Sequence, residues 1–278
     1  MPSSPASFFC CGDTLVRLIR TDTGFTEAWD WDSRTAPGLN ADERTWFRAL
    51  DECKPDRVAG QVLLTSSASG GVAVIRLSDN KKLFAAHLPN AHSAETFPNG
   101  YLVAAGSIGS DRLAVYSLAD GSEVSRLPLK HAHGIVYDAA NNVGWACGDD
   151  RLLALELSDV GVLSVIKEFR IPDADAHDLN PSRTAPGCLD ITTPRAAFRF
   201  DPATERFDPH PVFSGQPDIK SIDDLPDGQW VYQKAIGGKT WWNDRIQFLN
   251  PERQYRLPGV KLYKARWAEP NPFRIGDE

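Results

Sequence analysis

Six groups of short β-like segments recur along the chain every 40 to 44 residues, and this repeat limits the possible folds more than any other feature. The clearest group spans 92–129, where four apolar-rich runs are separated by Pro-Asn-Gly, Gly-Ser-Asp and Asp-Gly turns. The other complete groups lie at 52–88, 133–170, 177–213 and 220–258. A unit of four short strands repeated at this interval is typical of a blade of a β-propeller.

The two ends of the chain complete the sixth group. Residues 8–12, 15–20 and 25–31 supply only three strands, and the missing innermost strand is found at 262–267. A ring in which the termini share one blade leaves no exposed sheet edge. The sequence therefore predicts an all-β, six-bladed β-propeller of four-stranded blades, with an open β-sandwich or a seven-bladed ring as alternatives. The predicted single domain, 1–278, contains blade 1 (7–32 with 262–267), blade 2 (51–89), blade 3 (91–129), blade 4 (132–171), blade 5 (176–213) and blade 6 (219–259).

One segment, 33–50, does not fit the repeat and forms an insertion between blades 1 and 2. Its second half, 41–50, has the composition of a short helix, and Asn40 is a suitable N-cap. In propellers such a connection emerges on the face where the inner strands begin. We therefore expect the insertion to form a lid beside the central mouth.

Alignment of the six innermost strands places one ionisable residue at the same position in each blade. Since this position recurs once per blade, the six side chains are expected at one height around the axis. They are Glu52, His92, His133, His177, Lys220 and Lys264. A polar mouth that merely ties the blades together is the alternative interpretation.

The first four of these residues form a set of three imidazoles and one carboxylate. Such ligands suit a divalent ion such as Zn, Mn, Fe or Ni, so the sequence predicts a metal site. The predicted ligands are Glu52, His92, His133 and His177. Lys220 and Lys264 would face the ion and hold an anionic substrate group, and either lysine or His133 is expected to act in proton transfer.

Residues near this ring are predicted to contact a substrate. Arg266 lies two positions after Lys264 and can hold a carboxylate with two hydrogen bonds. Tryptophans at a pocket rim stack on sugar rings or other flat ligands. The remaining candidates, for which core packing or a supporting role is the alternative, are Trp46, Trp241, Trp242 and Glu95.

Charge and composition exclude several classes of partner. The net charge is −7 and there is no long basic run, which argues against nucleic acid and against an acidic membrane surface. No apolar run approaches the roughly 20 residues that span a bilayer. The N-terminus lacks the features of a secretory signal, and the five cysteines form no CxxC pair. We therefore expect a cytoplasmic protein with a small-molecule partner.

Several sequence blocks resemble those of a largely uncharacterised family of propellers built on a domain of unknown function. They are AHSAE (91–95), HAHG (131–134), AHDLNP (176–181), IKSID (219–223) and YKARW (263–267). The site layout is also similar to that of oligogalacturonate lyases, in which histidines and a glutamine hold a divalent cation and a uronate is cleaved by β-elimination. This chain departs from them, with six blades instead of seven and a glutamate in place of the amide.

Three functions are compatible with these patterns. The first is a metal-assisted lyase or isomerase that removes a proton from an anionic, sugar-like molecule in the central funnel. The second is a metal-free cyclase or other small-molecule enzyme that uses the axial residues as hydrogen-bond donors. The third is a non-catalytic propeller that binds another protein.

Overall fold

A computed structural model describes residues 6–22, 24–56, 59–237 and 240–274. Within them, 24 strands form six four-stranded antiparallel sheets, which confirms the predicted six-bladed propeller. In chain order the strands are β1 (Ser7–Gly12), β2 (Leu15–Arg20), β3 (Thr26–Asp32), β4 (Leu50–Asp56), β5 (Gln61–Ser66), β6 (Gly71–Arg76), β7 (Lys82–His87), β8 (Ala91–Phe97), β9 (Tyr101–Gly106), β10 (Arg112–Ser117), β11 (Glu123–Pro128), β12 (Ala132–Asp138), β13 (Val143–Gly148), β14 (Arg151–Leu157), β15 (Leu163–Arg170), β16 (Asp178–Pro181), β17 (Leu189–Thr192), β18 (Ala197–Asp201), β19 (Arg206–Pro209), β20 (Ile219–Asp224), β21 (Trp230–Lys234), β22 (Arg245–Leu249), β23 (Arg253–Arg256) and β24 (Leu262–Trp267).

The ring closes where the two ends of the chain meet in blade 1. β24 is the innermost strand of that blade and pairs antiparallel with β1, so that Phe8 lies opposite Trp267. Every residue of β24 is buried, as are all residues of the other inner strands, β4, β8, β12, β16 and β20. The outer strand β11 instead alternates between half-buried and exposed residues, as expected of a sheet edge with one solvated face.

Each inner strand but one carries a β-bulge at its start, and the bulge determines which side chains face the axis. At the bulge the inner strand has one residue more than the neighbouring strand, and this extra, unpaired residue is displaced toward the mouth. In blade 5, His177 stands just before β16, and its N–H donates to the carbonyl of Thr192 at 2.7 Å. The extra residues in the other blades are Asp51, His92, His133, Lys220 and Tyr263.

The predicted ring is therefore wrong by one residue in blades 1 and 2. Asp51 and Tyr263, instead of Glu52 and Lys264, occupy the positions equivalent to the three histidines and Lys220. Glu52 and Lys264 lie one residue further along their strands and one layer deeper in the channel.

The insertion between blades 1 and 2 is anchored at the side of the ring. Its helix, α1, covers Ala41–Thr45 and begins with a capping box between Asn40 and Glu43. Lys82 of blade 2 holds Glu43 with its Nζ 2.6 Å from Oε1, and Phe47 is fully buried in the core shared by blades 1 and 2. The helix is thus shorter than predicted and is not a lid, although 48–50 reach the mouth.

The segment after β24 crosses the face opposite the mouth. Arg183 of blade 5 donates to the carbonyls of Glu269 and Pro270 at 3.2 and 3.0 Å. The N–H of Ala139 in blade 4 donates to the carbonyl of Phe273 at 2.9 Å. A 3-10 turn covers Pro272–Arg274, and another covers Pro98–Gly100. No helix among the described residues is long and apolar enough to cross a membrane.

We expect Phe273→Ala to lower the free energy of unfolding by about 3 kcal/mol, because the buried ring fills part of the core between blades 4 and 5. Urea unfolding followed by tryptophan fluorescence measures the change. Ile166→Ala, at an exposed position of β15, is the control and should change stability by less than about 0.5 kcal/mol. Equal effects of the two variants would contradict the anchoring role.

Candidate functional site

The mouth of the propeller is a cavity of about 860 Å³ at the end of the axis where the inner strands begin. Loops between strands form its walls and include Arg48, Trp241 and Lys261. One residue from each blade surrounds its base, which makes the base a complete ring. The six are Asp51, His92, His133, His177, Lys220 and Tyr263.

The three histidines form a continuous stack along one half of the ring. The ring centroids of His92 and His133 are 4.0 Å apart with planes inclined by 30°, and those of His133 and His177 are 5.2 Å apart. His133 Nδ1 lies 2.9 Å from the carbonyl oxygen of His131, so this nitrogen carries the proton and donates it. The Nε2 lone pair of His133 is consequently left as an acceptor.

The imidazoles in this stack are uncharged at neutral pH. Burial, with the nearby charge of Lys264, lowers the pKa of His133 to about 4. Burial also holds the pKa values of His92 and His177 well below the ordinary range of histidine, and the positive charge of Lys220 adds to the effect on both. The stack therefore offers neutral hydrogen-bonding groups.

The other half of the ring carries an amine, a phenol and a carboxyl on three successive blades. Burial lowers the pKa of Lys220 to about 8. Burial raises the pKa of Asp51 to about 7, although Asp51 accepts a hydrogen bond from the N–H of Ser67. The pKa of Tyr263 lies well above its usual value because of burial and the neighbouring carboxylates. Two groups that gain or lose a proton near neutral pH thus stand on either side of Tyr263.

Four paired charges close the channel directly beneath this ring. Lys264 Nζ lies 3.2 Å from Glu52 Oε2 and 3.0 Å from Asp178 Oδ1. Arg266 donates from Nε to Glu52 Oε1 at 3.0 Å and from Nη1 to Asp178 Oδ2 at 2.8 Å. We call these residues the ion-pair floor: Glu52, Asp178, Lys264 and Arg266. All four are at most 1% exposed, so they form a floor without an opening between them.

The ion-pair floor changes the roles predicted for three residues. Burial opposes the charge on Lys264, but the carboxylates of Asp178 and Glu52 outweigh it and raise the pKa of Lys264, so it cannot serve as a base at neutral pH. Burial opposes ionisation of Glu52 as well, yet Arg266 and Lys264 lower the pKa of Glu52. Arg266 binds the protein's own carboxylates and is not available to a substrate.

The remaining predicted contact residues divide between the mouth and other parts of the fold. Trp241 and Trp242 line the mouth, and Lys261 Nζ lies 5.7 Å from the ring centroid of Trp242. Trp46 packs instead against His87, with ring centroids 5.5 Å apart, and does not line the mouth. Glu95 is buried below the floor, 3.4 Å from Lys54 Nζ, so it does not contact a ligand in the mouth.

The structure does not bring the four predicted metal ligands together. Glu52 is held in the ion-pair floor, and no three ligand atoms from Glu52 and the three histidines all lie within 4.8 Å of one another. In the described part of the chain, one set of three candidate ligand atoms lies within 4.8 Å of one another, at the rim: His131, Asp149 and Asp175. Lys130 Nζ is 2.7 Å from Asp149 Oδ2 in that set.

Asp51 and Tyr263 are the residues of the ring that the sequence alignment missed. A sequence pattern could have identified both residues. In every blade, the residue immediately before the ring position is apolar and at most 1% exposed. These residues are Leu50, Ala91, Ala132, Ala176, Ile219 and Leu262. Alignment on this apolar residue, instead of on the nearest charge, selects Asp51 and Tyr263.

Comparison with known proteins identifies a family and a fold. A family of unknown function, DUF6528, matches residues 13–277. No protein with a curated description matches the chain. The resemblance to oligogalacturonate lyases is not shown by these comparisons.

Three solved structures share the propeller fold at 11% to 12% sequence identity, which is a likeness of fold alone. The first, from a nidogen/laminin complex, has a TM-score of 0.65 over 95% of this chain and 98% of the other. A functionally unknown protein from Desulfotomaculum acetoxidans has a TM-score of 0.60 over 96% and 83%. Hydrazine synthase from Kuenenia stuttgartiensis has a TM-score of 0.51 over 72% and 63%.

We expect Glu52→Gln to lower the free energy of unfolding by about 3–5 kcal/mol, because it leaves an uncompensated positive charge in the ion-pair floor. Urea unfolding at pH 8 measures this loss. Asp51→Asn is the matched control, one residue away. The pKa of Asp51 is raised from 3.8 to about 7 in the folded state, so ionisation of this carboxyl costs stability that is lost progressively between these two pH values and fully at pH 8, where its removal should not reduce stability. A larger loss for Asp51→Asn than for Glu52→Gln would contradict the observed register.

Proposed function

We propose that this chain, which belongs to the DUF6528 family of unknown function, is an enzyme that transfers protons on a small acidic molecule, such as a sugar acid, held in the mouth. One observation carries the proposal. Lys220 and Asp51, whose pKa values are shifted to about 8 and about 7, both line a cavity that is closed at its base. Shifted pKa values of this kind, in a pocket, are typical of acid–base catalysts.

The charges around the mouth favour an anionic ligand. Lys220 is mostly protonated at pH 7 and is the cation at the base, and Arg48 and Lys261 lie above it. Two carboxylates on the wall already have partners: Asp13 Oδ2 accepts from the N–H of Lys261 at 3.0 Å, and Asp175 lies 3.5 Å from His131. The neutral imidazoles add hydrogen-bonding groups for hydroxyls without adding charge.

A balanced reaction follows from these groups. The neutral amine of Lys220 removes the proton from the carbon next to the ligand's carboxylate, and the electron pair moves onto the carboxylate to form an enediolate. The hydroxyl of Tyr263 donates a hydrogen bond that stabilises this charge. Asp51 then gives its proton either to the same carbon, which yields an epimer, or to a leaving group on the next carbon, which yields an unsaturated acid.

This step uses only groups of the protein, and it therefore differs from the metal-assisted form of the hypothesis. A divalent ion bound to the ligand's carboxylate would stabilise the same enediolate. The two forms differ in their response to chelation. Each experiment below is accordingly run with and without prior dialysis against EDTA, and full activity after dialysis is the expected result.

We expect the protein to catalyse exchange of the C5 hydrogen of D-glucuronate or D-galacturonate with deuterium from D₂O, as observed by NMR. Lys220→Met should abolish this exchange, with a loss of at least about 100-fold, because the base is gone. Lys167→Met, at a half-exposed lysine of β15, is the matched control and should leave the rate unchanged. Exchange that persists in Lys220→Met would refute the role of Lys220.

We expect a bell-shaped pH dependence for formation of the epimer or unsaturated product. The rate requires neutral Lys220, which increases as pH rises through about 8, and protonated Asp51, which decreases as pH rises through about 7. The maximum should therefore lie between pH 7 and 8. Asp51→Asn should abolish product formation but not isotope exchange. The rate of isotope exchange in this variant should increase as pH rises through about 8. A profile with no falling side in the unmutated protein would contradict the acid role of Asp51.

A further inference from the structure

Two large apolar side chains stand exposed on opposite sides of the mouth. Trp241, in blade 6, is 65% exposed, and Ile108, in blade 3, is 66% exposed. Both line the cavity. Blades 3 and 6 face each other across a ring of six, so the two side chains lie on either side of whatever enters the mouth. Pockets that bind small molecules are commonly lined by apolar and aromatic side chains together with a few polar groups.

Of the connections that join two strands of the same blade on this side of the ring, the one that carries Trp241 is the longest. Ten residues separate β21 from β22, compared with two between β13 and β14. The base of the connection is held in place, because Asn243 and Leu262 exchange two backbone hydrogen bonds of 3.1 and 2.9 Å. Trp242 is fixed under Lys261. The connection thus presents Trp241 beside the cavity from an anchored base.

The cavity has polar and apolar groups at different depths. Lys220, 7% exposed, and the imidazoles lie at the base, and Trp241 and Ile108 lie at the rim. At about 860 Å³, the cavity is near the upper end of the range of roughly 300–1,000 Å³ that is typical of small-molecule sites. A single sugar acid would contact the base but would leave the space between the rim side chains to water.

We propose that the mouth recognises an acidic sugar joined to a flat apolar group, with the acid at Lys220 and the apolar group between Trp241 and Ile108. This inference rests on the proposed function for the acidic part and adds the apolar part. Stacking on Trp241 and contact with Ile108 remove apolar surface from water on both sides, which favours binding of the joined molecule over the sugar acid alone.

Four probes separate the two parts: D-glucuronate, 4-nitrophenyl β-D-glucuronide, 4-nitrophenyl β-D-glucoside and D-glucose. Titration calorimetry on the full chain should show the glucuronide binding at least about tenfold more tightly than glucuronate. Trp241→Ala and Ile108→Ala should each remove most of this gain, so that the affinity ratio between the glucuronide and glucuronate falls toward one. Ile166→Ala is the matched control for Ile108→Ala, since Ile166 is 56% exposed on the outer strand of blade 4.

The outcomes distinguish the inference from the proposed function. If glucuronate binds more tightly than glucose but the glucuronide gains nothing, or its gain survives in Trp241→Ala, the inference is overturned and the proposed function stands. If the glucoside matches the glucuronide and Trp241→Ala weakens both, the rim assignment stands and the acidic ligand of the proposed function fails. A dimer in sedimentation analysis that dissociates in Trp241→Ala would assign the rim to self-association and overturn the inference.

Discussion

The ion-pair floor is the interaction on which the rest of the site depends. It joins β24 of blade 1 to β4 of blade 2 and β16 of blade 5 across the axis, and its two positive and two negative groups balance. Each charge would be costly to bury alone, so the four must be in place together. Because the floor occupies the centre of the channel, the propeller has a closed cavity at its mouth instead of a continuous pore.

The bulges place titratable side chains in a layer directly above the floor. An extra residue at the start of an inner strand points toward the mouth, and the ring therefore displays Asp51 and Tyr263 together with the histidines and Lys220. Burial at this depth shifts the pKa values of the amine and the carboxyl toward neutrality, in opposite directions. The closed base and the two shifted groups are the physical basis of the proposed proton transfer.

The fold was largely predictable from the sequence and the site only partly so. The repeat and the complementary ends of the chain were enough to predict six blades, because each blade must bury the same faces against its neighbours. The depth of each side chain along the axis was harder to predict. Side chains alternate between the two faces of a strand, and a bulge shifts this alternation by one residue. Charge alone selected Glu52 and Lys264, whereas the buried apolar residue before each ring position selects Asp51 and Tyr263. The peripheral place of Trp46 depends on contacts with a distant strand that no local pattern encodes.

Lysine acylation followed by peptide mass spectrometry tests the central claim, that Lys220 lines the mouth and Lys264 is sealed in the floor beneath it. Brief treatment of the folded protein with acetic anhydride at pH 8 should modify Lys220, whose pKa of about 8 leaves much of its amine neutral. Lys264 should stay unmodified until the protein unfolds, because it is fully buried between two carboxylates. Modification of Lys264 in the folded protein at a rate similar to that of Lys220 would contradict the account.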